Sequence, residues 1–166
     1  MNLAPSHSLT RRRLVAGAAA AGATLALPAL AQIQPPVPLV GPLAPNPVAF
    51  KKTMEQFIGS ATAQAEGLQL DIPVLADNPS AVPVKAKVTL PITETDWCEE
   101  IMVVAELNPI PLACHMHFTA DTGTAEAAIR IRLSQSQAVH VLARMKSGKV
   151  LAGKQMVTVA ASGCGM

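Results

Sequence analysis

Residues 82–90, Val82-Pro83-Val84-Lys85-Ala86-Lys87-Val88-Thr89-Leu90, alternate apolar and charged side chains with a period of two. Successive side chains of an extended chain point to opposite faces, so Val84, Ala86 and Val88 share one face while Lys85 and Lys87 share the other. Such a strand is wet on one side and buried on the other, as in an antiparallel sheet whose inner face meets a core. The pattern recurs at residues 129–133, where Arg130 and Arg132 alternate with Ile129, Ile131 and Leu133.

Working outward, five more stretches from Gly67 onward read as strands: LQLDIPVL, WCEEIMVVAEL, LACHMHFTA, AVHVLARMK and KVLAGKQMVTVA. The turn-forming segments DNPS, NPIP, DTGT and KSGK punctuate them. Seven short strands at this spacing, with no helical pattern between them, predict a mainly β fold, an antiparallel immunoglobulin-like sandwich. Before the strands, Phe50, Met54, Phe57 and Ile58 form one apolar stripe of a short helix that ends before Gly59. Further upstream, residues 32–47 (QIQPPVPLVGPLAPNP) are rich in proline and read as a stiff linker. The expected organisation is a signal at 1–31, this linker at 32–47, the sandwich domain at 48–160 with its one short N-terminal helix, and a flexible C-terminal arm at 161–166.

The first segment carries Arg11, Arg12 and Arg13, then an uncharged stretch from Leu14 to Ala31 that closes on Ala29-Leu30-Ala31. A basic start, a short apolar run and a small-x-small end describe an export signal removed before Gln32, and Thr10–Val15 (TRRRLV) fits the twin-arginine pattern. The run is rich in Ala and Gly and contains Pro28, which disfavours a transmembrane anchor. The expected location is the periplasm, with no membrane anchor after processing. Of the 13 Lys+Arg, three lie in the signal; the ten that remain face 11 Asp+Glu, a net charge of about −1. No basic patch points to nucleic acid. With no Tyr, one Trp and three Phe in the chain, the core must be aliphatic.

Three cysteines are an odd number for an oxidising compartment. If NPIP joins its flanking strands as a tight hairpin, Leu107 lies near Leu112 and Cys114 near Ala105. Cys98 is then seven positions away, more than about 20 Å, and cannot pair with Cys114. Cys114 shares a face with Leu112, Met116 and Phe118 and reads as a small buried hydrophobe. Cys98, at a strand start beside Trp97, reads as a partly buried structural residue. Cys164, in Ala161-Ser162-Gly163-Cys164-Gly165-Met166, lies beyond the last strand among small residues. No Lys, Arg or His lies within nine residues of it, so nothing local activates the thiol. What the segment has is reach: four residues past Ala160 carry the sulfur about 13 Å, and Gly163 and Gly165 keep the arm thin and flexible.

These features resemble the SoxY family, the sulfur-carrier subunits of the periplasmic thiosulfate-oxidising Sox system. The resemblance runs from the helix near Phe50 to the end of the chain and includes NPIP, IRIRLSQSQAV and the terminal thiol motif. Family members end in Gly-Gly-Cys-Gly-Gly; here Ser162 and Met166 stand at the outer positions, and Met166 adds bulk at the tip. The resemblance implies that Cys164 carries the sulfur intermediate and that Ser162, Gly163 and Gly165 belong to its arm. It implies a SoxZ-like subunit as heterodimer partner and transient visits from SoxAX, SoxB and a sulfane dehydrogenase. The chain itself would be no enzyme, with no resident cofactor beyond a thiosulfonate or sulfane adduct on Cys164.

Two other readings come from different classes. Cys114, His115, Met116 and His117 form a ligand-rich tetrad that suggests an exported copper-binding protein. Strand geometry sends His115 and His117 to one face and Cys114 and Met116 to the other, so at most two imidazoles converge and no metal ligand is assigned. The third reading is a structural adaptor that binds a partner by its faces. Asp121 in DTGT and Lys146–Lys149 (KSGK) read as turns, and His140 as an exposed or interfacial strand residue. No phosphate loop, nucleophile triad or paired-carboxylate site is visible.

Overall fold

The computed structural model describes residues 39–160. Each of the seven stretches expected as strands contains a strand. In chain order the strands are β1 (Ala63–Gln64), β2 (Leu68–Asp71), β3 (Leu75–Ala76), β4 (Val82–Val88), β5 (Cys98–Ala105), β6 (Leu112–His117), β7 (Glu126–Ile131), β8 (Gln137–Met145) and β9 (Val150–Val159). They form two sheets. The larger runs β1-β9-β8-β5-β6, with β3 also on β9, and the smaller runs β2-β4-β7. The long ladders are antiparallel, whereas the two-residue strands β1 and β3 pair with β9 in parallel. Pairs that short carry no readable period, so sequence alternation could not show them.

The core between the sheets is aliphatic. Val82, Val84, Ala86 and Val88 of β4 face Ile101, Val103 and Ala105 of β5 and Val139, Val141 and Ala143 of β8, all buried. Gly153 of β9 marks where the sheets close on each other: a Cβ there would stand 2.8 Å from Leu70 Cδ1. A helix, α1 (Pro47–Ile58), covers part of the larger sheet's outer face. Asn46 caps it by accepting from Ala49 N (3.0 Å), Pro47 opens the first turn, and Gly59, at φ 60°, ends it. The apolar stripe Phe50, Met54, Phe57 and Ile58 lies on Met102, Val104, Leu142 and Val150. Both faces of β5 are therefore covered along Ile101–Ala105, and its polar alternation disappears there.

Two local departures from the sequence reading shape the surfaces of the sandwich. The segment LQLDIPVL does not continue as one strand. Pro73 lacks the N–H a ladder requires, and the chain leaves the smaller sheet after Asp71 and joins the larger one at Leu75. The tight NPIP hairpin is also corrected: Cys114 stands opposite Val103, not Ala105, and Leu112 opposite Val104, not Leu107. A bulge between Val103 and Val104 turns Leu112 away from the sandwich core that receives Cys114, Met116 and Phe118.

The wider loop is held by a polar network. Asn108 Nδ2 donates to Arg132 O (2.8 Å), while its Oδ1 accepts from Ser134 N, Ser134 Oγ and Gln137 Nε2. Gln137, buried at 1% exposure, accepts from Leu107 N (2.6 Å). The two internal motifs that carry the family resemblance, NPIP and IRIRLSQSQAV, are thus parts of one joint. A buried amide needs such partners, because each unmet hydrogen bond would cost about 1–3 kcal/mol.

Candidate functional site

Cys164 and its neighbours Ser162, Gly163 and Gly165 lie outside the described residues, as does the signal at 1–31. The structure does describe the place where that segment is rooted. Strand β3 lies beside the end of β9, with Leu75 opposite Thr158 and Ala76 opposite Val159. Thr158 N donates to Val74 O (2.7 Å) and Ala160 N to Ala76 O (3.0 Å). The chain is therefore tied to the sandwich up to Ala160, and the detour at Pro73 supplies the tie. Val74, Leu75 and Met156 present exposed apolar side chains around this root.

The other two cysteines are free, in accord with their expected failure to pair. Cys98 is more buried than expected, at 1% exposure, and its Sγ donates to Glu100 O (3.4 Å). Burial pushes its thiol up to about 11, which removes the thiolate at neutral pH. Cys114 is half-buried rather than buried: β6 is the edge strand, so its inward side chains are covered from one side only. Neither thiol is fully exposed.

A second group of reactive side chains gathers on the outer face of the larger sheet, beyond the end of α1. Register sets Glu100 directly opposite His117 and Met102 opposite His115. His115 Nε2 donates to Glu100 Oε2 (2.6 Å), and the two imidazole rings lie 4.5 Å apart. Arg144 of β8 pairs with the other carboxylate oxygen, Nη1 to Oε1, at 3.1 Å. The same guanidinium lies 4.7 Å over the Phe57 ring and donates through Nη2 to Phe57 O, near the carboxyl end of α1 where helix carbonyls lack partners. One donor atom from each of Glu100, His115 and His117 lies within 4.8 Å of the others. Two imidazoles converge as strand geometry implied, and Glu100 joins them as a third donor that the sequence did not show. The cause is the loop: a tight hairpin would have put Glu100 two residues, about 7 Å, from its actual partner.

His140 is interfacial, as expected. It lies under the first half of α1, 5.1 Å from the Phe50 ring, and donates to Glu106 Oε2 at 3.1 Å. The KSGK segment is the β8–β9 turn, with Gly148 at φ 81°, and DTGT contributes a single 3-10 turn at Ala120–Thr122.

Among known proteins, no curated sequence matches the chain. The sulfur carrier protein SoxY from Chlorobium limicola f thiosulfatophilum shares the fold at a TM-score of 0.56 and 19% identity, covering 69% of this chain and 99% of its own. A superoxide reductase (neelaredoxin) from Ignicoccus hospitalis matches more loosely, at 0.47 and 10% identity, over 57% of this chain and 81% of its own. The model of the family described as "Sulfur oxidation protein SoxY" matches residues 54–164, from the apolar stripe of α1, across every described strand, to Cys164. The chain belongs to the SoxY family of sulfur oxidation proteins.

Proposed function

We propose that this chain is a periplasmic sulfur carrier whose Cys164 holds the intermediates of thiosulfate oxidation while partner enzymes act on them. The observation that carries the reading is the extent of the family match, which ends on Cys164 itself. Elimination supports it: Cys98 is buried and protonated, and Cys114 is wedged against the core. From the tie at Ala160, four residues reach about 13 Å, enough to set a sulfur inside another protein's cleft.

Loading is a two-electron oxidation. The Cys164 thiol loses its proton, its sulfur bonds to the outer sulfur of thiosulfate, and two electrons pass to a c-type haem enzyme of the SoxAX kind. Water then cleaves the outer S–S bond in a SoxB-like hydrolase, releasing sulfate and leaving a sulfane sulfur on Cys164 that a sulfane dehydrogenase can oxidise. This chain supplies the attachment atom and the reach of Ser162, Gly163 and Gly165, and the partners supply activation. A SoxZ-like subunit is the stable partner, and a twin-arginine signal would export the pair together.

Intact-mass measurement on protein from thiosulfate-grown cells tests the reading. The expected result is a reductant-sensitive mass increment on Cys164, with Cys164→Ser abolishing thiosulfate-dependent sulfate release while the partner complex survives. An unmodified Cys164 together with a fully active variant would leave the adaptor reading in its place.

A further inference from the structure

We propose that Glu100, His115 and His117 form a binding site for one divalent transition-metal ion of the imidazole-preferring class, with Zn2+ as its simplest representative. Two neutral imidazoles and a carboxylate are a donor set that suits Zn2+, Cu2+ and Ni2+ and leaves coordination positions for water or a ligand. The three donors converge because of the backbone: Glu100 and His117 are a cross-strand pair, and His115 lies on the same face of β6.

Their separations suit capture with small side-chain movements. Metal–nitrogen bonds of about 2.0–2.1 Å place neighbouring donors about 3.3 Å apart around a tetrahedral ion. The present donors lie within 4.8 Å of one another, and both histidines are exposed on the edge strand, where ring rotation is unhindered by a core. The 2.6 Å bond from His115 to Glu100 Oε2 is exchanged for two metal bonds as the ion enters between them, the Nε2 proton passing to Nδ1 or to solvent.

The supporting shell is already in place. Glu100 divides its oxygens, Oε2 toward the histidines and Oε1 on Arg144 Nη1. A ligating carboxylate whose second oxygen is held by a donor is the usual outer-sphere arrangement of protein metal sites. Arg144 is in turn fixed by the Phe57 ring and carbonyl, so the carboxylate is aimed before any ion arrives. The guanidinium also neutralises the carboxylate's charge, so the imidazoles must supply much of the selectivity, which favours late transition metals over Ca2+ or Mg2+. Two shallow hollows flank the cluster: Thr53, Gln56, Phe57 and Leu112 line one, and Trp97, Phe118 and Thr119 line the other, with Glu100 in both. An ion held there is open to solvent on either side.

The test separates this site from the arm thiol, which also binds soft metals. The full processed chain carrying Cys164→Ser is titrated with Zn2+ by calorimetry, and Cu2+ is added in parallel for electron paramagnetic resonance. The expected result is one equivalent of Zn2+ bound and a Cu2+ spectrum with coupling to two imidazole nitrogens. His117→Asn should weaken binding at least about 10-fold and leave coupling to one nitrogen. His115→Asn should weaken it comparably, with metal-free melting temperatures confirming that both variants fold. Absence of stoichiometric uptake, or uptake unchanged in the His115→Asn/His117→Asn double variant, overturns the proposal. Because Cys164 is absent throughout, neither result bears on the carrier reading.

Discussion

The two outer faces of the sandwich both carry charge, yet their charges have different standing. On the smaller sheet Lys85 and Lys87 are about half exposed around Glu126, with Lys85 Nζ 3.0 Å from Glu126 Oε1. On the larger sheet Glu100 is tucked beside α1 with only 13% of its side chain exposed, and its partner Arg144 is held by the Phe57 ring and carbonyl. Exposed pairs gain little, because water and salt screen them and two long side chains lose freedom. A partly covered pair that also holds a helix end cannot be released without leaving buried polar groups unmet. Charge on the first face keeps a sheet soluble, whereas on the second it aims side chains.

The strongest way to break this contrast is to remove the cover. Phe57→Ala deletes the side chain that joins α1 to Met102, Val104 and Leu142 and that lies under Arg144. A loss of about 3 kcal/mol is expected, read as a lower urea midpoint at unchanged slope. Next in size, Arg144→Met keeps the packing stem but frees Glu100 and Phe57 O, and should cost about 1–2 kcal/mol by the same measurement. The smallest effect belongs to the open face. Lys85 holds the Glu126 carboxyl below its ordinary value through a hydrogen bond and charge, and Glu126 raises Lys85 in return. A depressed carboxyl contributes stability that is present above its unfolded value and is lost as pH falls through the folded one. Glu126→Gln should therefore flatten only a slight acid-side decline in melting temperature, and added salt should erase the difference. If Glu126→Gln instead matched Arg144→Met, the contrast between the faces would be wrong.

This contrast also explains what the amino-acid order made legible. Lys85 and Lys87 announce their face because they alternate with valine and alanine in a strand covered on one side only. The stripe Phe50, Met54, Phe57 and Ile58 announces α1 for the same reason, at helical period. Glu100 announces nothing: its neighbours Ile101–Ala105 are buried on both sides, and its meeting with His117 depends on a bulge and a six-residue connection, Glu106–Pro111, that local composition does not encode. Asn108 was legible as a loop residue, whereas Gln137 fell between two expected strands, and their joining 29 positions apart is a product of the fold. The strand switch at Pro73 was open to prediction from proline's missing N–H; the partner that receives Leu75 was not.

That switch has a mechanical consequence. Any partner that draws Cys164 into its own cleft pulls on the chain beyond Ala160, and the tension enters the sandwich along β9. Strand β9 is bonded on one flank to β8 and on the other to β1 and β3, and its last two pairs are parallel to β3. A load along the strand axis would therefore strain several hydrogen bonds at once in shear, instead of unzipping them singly from a free edge, so the sandwich is built to resist a pull applied at Ala160.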